Sequence, residues 1–177
     1  MKLPYILISL LCSVALVSAG CGKKETPAAS TPAQTSAGQK AAESTAPTAA
    51  TGRAIEVTGN DQMKFSLTEI KAKPGETLSV TLVNVGTMPK MSMGHNWVLL
   101  KNASVVEAFV NASMTAPTTD YISMEKKADI LAHTKLLGPK EKDTVTFNAP
   151  KEPGRYPFVC TFPGHFQVGM KGELIVE

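Results

Sequence analysis

The chain has 177 residues, with 18 Lys and Arg against 15 Asp and Glu, so its formal net charge is only +3 at pH 7. No block of basic residues stands out, which argues against a nucleic-acid-binding protein. Hydrophobic residues make up 43% of the chain, enough for a domain with its own core.

Residues 1–20 have the pattern of a secretory signal peptide. Lys2 precedes a long apolar run, and small residues stand directly before Cys21, as in exported proteins. The apolar run is short for a membrane span. A cysteine after Ser-Ala-Gly resembles the bacterial lipobox, although Ser18 occupies a position that is usually aliphatic there. We therefore expect lipidation of Cys21; the alternative is an ordinary signal peptide cleaved nearby.

Residues 21–52 differ sharply in composition from the segments on either side. After Cys21 they are mostly Ala, Thr, Ser and Pro, with almost no large apolar side chain. Such a segment cannot bury enough apolar surface to offset its ordering entropy. We expect a disordered tether with an r.m.s. span of about 30 Å, which would hold a domain away from a membrane.

Residues 53–177 have the size and composition of one globular domain. Their charges nearly cancel, with 14 Lys and Arg against 13 Asp and Glu. Cys12 falls within the signal peptide and Cys21 at the lipidation site, so Cys160 is the only thiol of the domain. A disulfide within the domain is therefore excluded, and an exported protein with one unpaired thiol is expected to use it.

Several segments of the domain alternate between apolar and polar residues, as half-buried strands do. Leu78, Val80 and Leu82 share one face of the first such segment, and residues 143–150 repeat the pattern. Further strands are predicted at residues 96–100 and 172–177. Turn signals rich in Gly and Pro separate these segments, which favours an all-β sandwich or barrel. Residues 105–132 fit less well and are predicted to form a helical or irregular insertion.

Three residues with metal-binding side chains lie close together near the C-terminus: Cys160, His165 and Met170. Far upstream, the segment MSMGHNW supplies His95 just before a predicted strand. Two imidazoles, one thiolate and a weak thioether are the donor set of a type 1, or blue, copper site for electron transfer. The combination of these residues therefore favours copper.

Four alternatives compete with this interpretation. A lone Cys is most often a small buried hydrophobe. A Cys–His hydrolase could use Asn96 as its orienting residue, but it leaves Met170 and one histidine without a role. A structural zinc site would normally bring four strong ligands. A copper chaperone, or a copper-resistance or storage protein, would use Met88, Met91 and Met93 as Cu(I) ligands.

The domain resembles azurin and its relatives, the auracyanins and the lipid-modified azurins of bacterial outer membranes. Five blocks carry the resemblance, which extends over nearly all of residues 55–177: TGNDQMKF, PKMSMGHNWVL, AHTKLLG, EKDTVTF and CTFPGHFQVGMKGELIV. It implies the cupredoxin fold, an eight-stranded Greek-key β-sandwich with copper near one end. The Ala/Pro/Thr tether after a lipobox also resembles the anchored azurins.

By position, the resemblance implies that His95, Cys160 and His165 are the strong copper ligands. It makes Met170 the long axial ligand and brings the carbonyl of Gly94 towards the metal from the other side. Four residues separate His165 from Met170, as in auracyanins, whereas azurin has three. Azurin's disulfide has no counterpart, so the fold is expected to depend on its core and its metal.

The resemblance also implies roles for residues around the ligands. Asn96 would tie the two ligand-bearing loops together, and Asn96 and the amide of Phe162 would donate hydrogen bonds to the sulfur of Cys160. An exposed edge of His165 would pass electrons through a hydrophobic docking patch formed by Met63, Met88, Met93, Phe162, Pro163 and Gly164.

These features together predict a single-electron carrier, not an enzyme. Its partners would be redox proteins such as c-type cytochromes or terminal reductases and oxidases, bound briefly through a small contact. We expect a monomer in the bacterial periplasm, held by a lipid anchor to a membrane of the cell envelope.

Overall fold

Two β-sheets form the framework of the structure, a computed structural model in which residues 52–177 are described. One sheet has the strand order β1-β3-β6 and the other β2-β8-β7-β4-β5. The strands in this part of the chain are β1 Arg53–Gly59, β2 Glu69–Ala72, β3 Thr77–Asn84, β4 Val98–Leu100, β5 Ile130–His133, β6 Lys142–Asn148, β7 Gly154–Val159 and β8 Lys171–Val176. The predicted all-β sandwich of about eight strands is confirmed. The predicted signal peptide, Cys21 and nearly all of the predicted tether lie outside the described residues.

The predicted alternation in the three-stranded sheet is confirmed. Leu78, Val80 and Leu82 of β3 are fully buried and pack in the main hydrophobic core. On the opposite face, Ser79 Oγ forms a hydrogen bond of 2.8 Å with Thr146 Oγ1 of β6. A slip of one residue would expose the whole apolar face, so the alternation fixes the register of β3 against β6.

Strand β4 is buried on both faces, which explains why its sequence is a continuous apolar run. Leu99 packs in the main core between the sheets, next to the fully buried Trp97. Val98 and Leu100 point the other way, into a second hydrophobic cluster that includes Phe109 of the helical insertion.

The predicted insertion is helical, but it ends earlier than predicted. A short helix, α1, spans Lys90–Met93 before β4. The insertion itself contains the α-helix α2, Val106–Met114, and three 3₁₀ helices, at Ala103–Val105, Pro117–Thr119 and Met124–Asp129. Strand β5 then begins at Ile130, within the range predicted for the insertion, because residues 130–133 pair with β4. Among the described residues, no helix is long and apolar enough to cross a membrane.

Three strand ends meet at one edge of the five-stranded sheet. Strand β7 runs antiparallel to both β4 and β8, and its last residue, Val159, lies opposite Val98 and Lys171. The residues just before β4, just after β7 and just before β8 are therefore neighbours in space. This topology brings the segments that contain His95, Cys160 and Met170 to the same end of the sandwich.

Candidate metal centre

The three strong ligands predicted from the sequence converge at this end of the sandwich. The donor atoms of His95, Cys160 and His165 lie within 4.8 Å of one another, and all three residues are buried. His95 Nδ1 is 3.2 Å from His165 Nδ1, and Cys160 Sγ is 3.4 Å from the same His165 atom. One ion could reach all three atoms with bonds of about 2.0–2.3 Å, the usual lengths to imidazole nitrogen and thiolate.

Burial favours the neutral form of each of these groups. It lowers the pKa of His165 to about 4, assisted by repulsion from His95, and it also lowers the pKa of His95. Burial raises the pKa of the Cys160 thiol to about 12. At neutral pH both imidazoles are therefore uncharged and offer a lone pair, while the thiol needs a bound cation to ionise. This set of donors fits copper, which accepts both imidazole and thiolate.

Two backbone N–H groups face the sulfur of Cys160. The amides of Asn96 and Phe162 donate towards it and lower the pKa of the thiol, against the larger opposing effect of burial. The resemblance to azurin implied donors at these two residues, and both amides lie close enough to the sulfur to lower the pKa of the thiol. Hydrogen bonds of this kind stabilise a thiolate and tune the potential of the metal that it binds.

The ring of His95 is oriented with Nδ1 towards the other donors. Its Nε2 is buried and makes no hydrogen bond of normal geometry within residues 52–177, although the backbone carbonyl of Asn60 is close enough to raise the pKa of the ring. Because Nδ1 faces the other donors, the ring offers them a lone pair only in the tautomer that carries its proton on Nε2.

Met170 is fully buried, and both its side chain and the His95 ring lie close to Gly59 at the end of β1. Its backbone N–H donates to the His165 carbonyl at 2.9 Å, and its carbonyl accepts from Cys160 N at 3.1 Å. A Cβ atom on Gly59 would lie 3.0 Å from both Met170 Cε and His95 Cδ2. Gly59 therefore leaves room for two predicted ligands, yet its only sequence signal is its place in the block TGNDQMKF.

The loop from Cys160 to Met170 is closed by its own backbone hydrogen bonds. His165 N donates to Phe162 O at 3.1 Å, and Gly169 N donates to Phe166 O at 3.0 Å. Gly169 has a φ of 91°, a left-handed conformation that glycine adopts without steric cost. The fourth residue between His165 and Met170 is accommodated by the turn that ends at Gly169.

Asn96 links the two segments that carry the predicted ligands. Its Oδ1 accepts a hydrogen bond from Thr161 N at 2.9 Å, and its Nδ2 donates to Thr161 Oγ1 at 2.8 Å. Asn96 follows His95 and Thr161 follows Cys160, so the pair fixes the spacing of the two segments. Thr161 carried no distinguishing signal in the sequence.

Gly94 is buried between the short helix α1 (Lys90–Met93) and His95. A Cβ atom at this position would lie 2.8 Å from the Lys90 carbonyl and 3.0 Å from the side chain of Leu136. The close approach of the backbone thus requires glycine immediately before the first histidine of the cluster.

The predicted docking patch is only partly exposed. Met88 is 41% exposed, Pro163 and Gly164 are exposed, and Met63 and Met93 are half-buried. Phe162 is 7% exposed and His165 only 2%. The imidazole edge expected at the surface is therefore almost completely covered, because the Phe162 ring packs on it with a centroid separation of 4.7 Å.

Comparison with known proteins settles the family. Residues 52–177 match the family described as copper binding proteins, plastocyanin/azurin family. The chain belongs to the plastocyanin/azurin family.

Curated relatives of this plastocyanin/azurin-family protein include azurin of Pseudomonas aeruginosa. It is 38% identical over 135 residues, which cover 75% of this chain and 90% of that protein. Outer membrane protein H.8 of Neisseria gonorrhoeae is 40% identical over 114 residues, which cover 63% of this chain and 61% of that protein.

Solved structures of auracyanins have the same fold. Dithionite-reduced auracyanin from the photosynthetic bacterium Roseiflexus castenholzii has a TM-score of 0.64 and 32% identity, covering 70% of this chain and 96% of that one. Auracyanin A, a blue copper protein of Chloroflexus aurantiacus, has a TM-score of 0.63 and 31% identity, covering 71% of this chain and 98% of that one. The chain is therefore a copper-binding electron carrier of the azurin and auracyanin type, not an enzyme.

Proposed function

We propose that this protein carries single electrons at a type 1 copper site in the periplasm, tethered to a membrane through Cys21. The strong ligands are the Nδ1 atoms of His95 and His165 and the Sγ atom of Cys160. The thioether of Met170 would be a weak further ligand, and the carbonyl of Gly94 would be an additional contact. The observation that supports the site best is the convergence of three buried donor atoms within 4.8 Å.

The chain's own residues hold the donors in one arrangement. A bound copper ion supplies the one-electron Cu(II)/Cu(I) couple; thiolate and thioether suit its reduced state, and imidazole suits both. The donors sit at strand ends and on a loop closed by its own hydrogen bonds, so they have little freedom to rearrange between oxidation states. The amides of Asn96 and Phe162 stabilise the thiolate charge.

Electrons leave the site through the docking patch in front of His165. Met88, Pro163 and Gly164 provide its exposed part, and the Phe162 ring bridges this surface and the imidazole. A small, weakly polar patch favours brief contacts. Such contacts fit redox partners such as c-type cytochromes or terminal reductases and oxidases, and they fit a protein that is a monomer when free.

Colour tests this function against a copper chaperone or storage role. Protein loaded with one equivalent of Cu(II) is expected to be intensely blue, because a thiolate bound to Cu(II) gives a strong charge-transfer band. The band should disappear on reduction with ascorbate and return with an oxidant over repeated cycles. A colourless copper complex, or loss of copper on each reduction, would instead support copper handling through the exposed methionines.

Strand β1, which follows the proposed tether in the sequence, begins far from the proposed copper site. Strand β1 begins at Arg53 and ends at Gly59, which is in contact range of His95 and Met170; seven residues of strand span about 20 Å. An anchor at Cys21 would therefore leave the docking patch free to face partners. The similarity to a Neisseria outer membrane protein and the signal pattern of residues 1–20 support an anchored, exported protein.

Lipidation predicts a definite mature N-terminus. Mass spectrometry of protein purified from bacterial membranes should show a chain that begins at Cys21 and carries the added mass of a lipid-modified cysteine. The Cys21→Ala variant should be recovered from the soluble fraction, with its blue colour intact. An unmodified Cys21, or a chain that begins elsewhere, would refute the anchor without touching the copper site.

A further inference from the structure

The turn at Asp120–Tyr121 in the helical insertion has a rare backbone conformation. Both residues are left-handed, with φ angles of 55° and 57°, although neither is glycine and the second carries a bulky ring. This conformation is disfavoured for residues with a Cβ atom. Such outliers persist only where surrounding contacts enforce them, and they concentrate at functional sites.

The backbone carbonyls of this turn accept hydrogen bonds from the two side chains that link the ligand segments. Asn96 Nδ2 donates to the carbonyl of Asp120 at 3.0 Å. Thr161 Oγ1 donates to the carbonyl of Tyr121 at 2.6 Å. Each donor residue directly follows a proposed ligand in the chain, so the turn is connected to both ligand segments at once.

The hydrogen bonds of this cluster depend on one another. The hydroxyl proton of Thr161 goes to the Tyr121 carbonyl, so the Thr161 oxygen is free to accept from Asn96 Nδ2. The second proton of Nδ2 goes to the carbonyl of Asp120. Asn96 and Thr161 are both fully buried. Loss of the Asp120 carbonyl would leave one Nδ2 proton unpaired, which is costly, and loss of the Tyr121 carbonyl would leave the Thr161 hydroxyl only Asn96 Oδ1, at 3.1 Å, as an acceptor.

The helical, rather than extended, backbone angles of the pair allow adjacent carbonyls to serve both donors. In an extended chain, successive residues face opposite sides. With helical backbone angles, successive carbonyls point the same way along the helix axis. This is true of left-handed as well as right-handed helical angles. A turn with ordinary extended angles could therefore satisfy only one of the two side chains.

Further contacts hold the turn between the insertion and the site, among them a hydrogen bond of 3.4 Å from Leu136 N to Asp120 Oδ2. Ser123 N donates to Ser113 Oγ of α2 at 3.0 Å in a buried position, which attaches the turn to the helix. On the other side, the Tyr121 ring packs edge-on against Phe162 with a centroid distance of 5.0 Å. Phe162 in turn covers His165.

We propose that the Asp120–Tyr121 turn is a positioning element through which the helical insertion sets the spacing of the His95 and Cys160 segments. This inference rests on the proposed copper site. The turn contacts no ligand donor atom itself; it acts through Asn96, Thr161 and Phe162. The helical insertion therefore helps to fix the positions of the residues around the Cys160 sulfur.

The test disturbs the backbone of the turn without changing the residues that it positions. In Asp120→Val, a β-branched side chain opposes the left-handed conformation, and the carboxylate oxygen that accepts from Leu136 N at 3.4 Å is lost. Asp120→Asn tolerates the conformation and keeps an acceptor oxygen. In metal-free protein, amide exchange at Thr161 relative to Val80 of the core is expected to rise about tenfold in Asp120→Val, because the local structure opens more readily. In copper-loaded protein, the same variant should shift the blue band and the reduction potential. Asp120→Asn should match the wild type in all three measurements.

Gly75→Val is the matched control for backbone strain. Gly75 is also left-handed, with φ 72°, and no heavy atom lies within 4 Å of a Cβ placed there. This variant should lower the unfolding temperature, as Asp120→Val does, but leave the Thr161/Val80 exchange ratio, the blue band and the potential unchanged.

An Asp120→Val variant that loses stability yet keeps the wild-type exchange ratio, band and potential would overturn the positioning role. Should this variant not fold, Asp120→Ala takes its place, with the same expected direction and the same overturning result. The exchange measurement uses metal-free protein, so its outcome does not depend on copper. Failure of the proposed copper function would instead appear as a colourless wild type.

Discussion

Replacing Cys160 with Ser is expected to abolish the intense blue absorption of the copper-loaded protein. The band requires a thiolate bound to Cu(II), and a serine hydroxyl at this buried position is a neutral, hard donor that stays protonated. Copper affinity should fall by more than the roughly 10–100-fold that loss of an outer hydrogen-bond partner of a ligand costs. Visible spectroscopy and competition with a chelator of known affinity measure both effects.

His133→Ala provides the control for Cys160→Ser. His133 is an exposed histidine at the end of β5 and is not a member of the buried donor cluster. This variant should keep the blue band, the affinity and the potential of the wild type. Retention of the band in Cys160→Ser, or its loss in His133→Ala, would show that the thiolate assignment is wrong.

Gly59→Ala is expected to change the site without altering any ligand. The added methyl group would lie 3.0 Å from both Met170 Cε and His95 Cδ2, closer than carbon atoms normally pack. Overpacking of this kind typically costs about 1–3 kcal/mol in unfolding free energy. The flexible end of Met170 should yield before the His95 ring does, and a weaker axial donor should raise the reduction potential. Voltammetry and thermal unfolding of the copper-loaded and metal-free proteins measure these changes.

The control for Gly59→Ala is Gly154→Ala at the start of β7. A Cβ atom on Gly154 would meet its nearest neighbour, the Tyr156 ring, at 3.5 Å, an ordinary contact. This variant should leave the potential unchanged. A wild-type potential in Gly59→Ala would mean that Met170 does not act as the axial ligand in the position where the structure places it.

The positions of β3 and β6 were predictable because burial on one face leaves a direct trace in the sequence, whereas β1, β2 and β7 were not singled out. The alternation of Leu78, Val80 and Leu82 indicated both a strand and its buried side. The start of β5 left no such trace: residues 130–133 become a strand through pairing with β4, and their sequence has no clear period. The predicted insertion therefore ran past Ile130.

The donors of the site were predictable because their chemistry is distinctive, whereas the residues that shape the site were not. Cys160 and His165 stood out by residue type and spacing. Gly59 acts through the close approach of its backbone, and Thr161 acts through hydrogen bonds to Asn96 and Tyr121, which are far away in the chain. Only the folded structure reveals these contacts. The covering of His165 by Phe162 is a similar case, since it depends on ring packing that no sequence period records.

X-ray absorption spectroscopy at the copper edge tests the ligand set most directly, because it reports the atoms bound to the metal in both oxidation states. The site described above predicts one short copper–sulfur bond together with two imidazole nitrogens, present in the oxidised and reduced wild type, with the sulfur lost in Cys160→Ser. A spectrum of the blue or reduced protein that shows only nitrogen and oxygen around copper would contradict it.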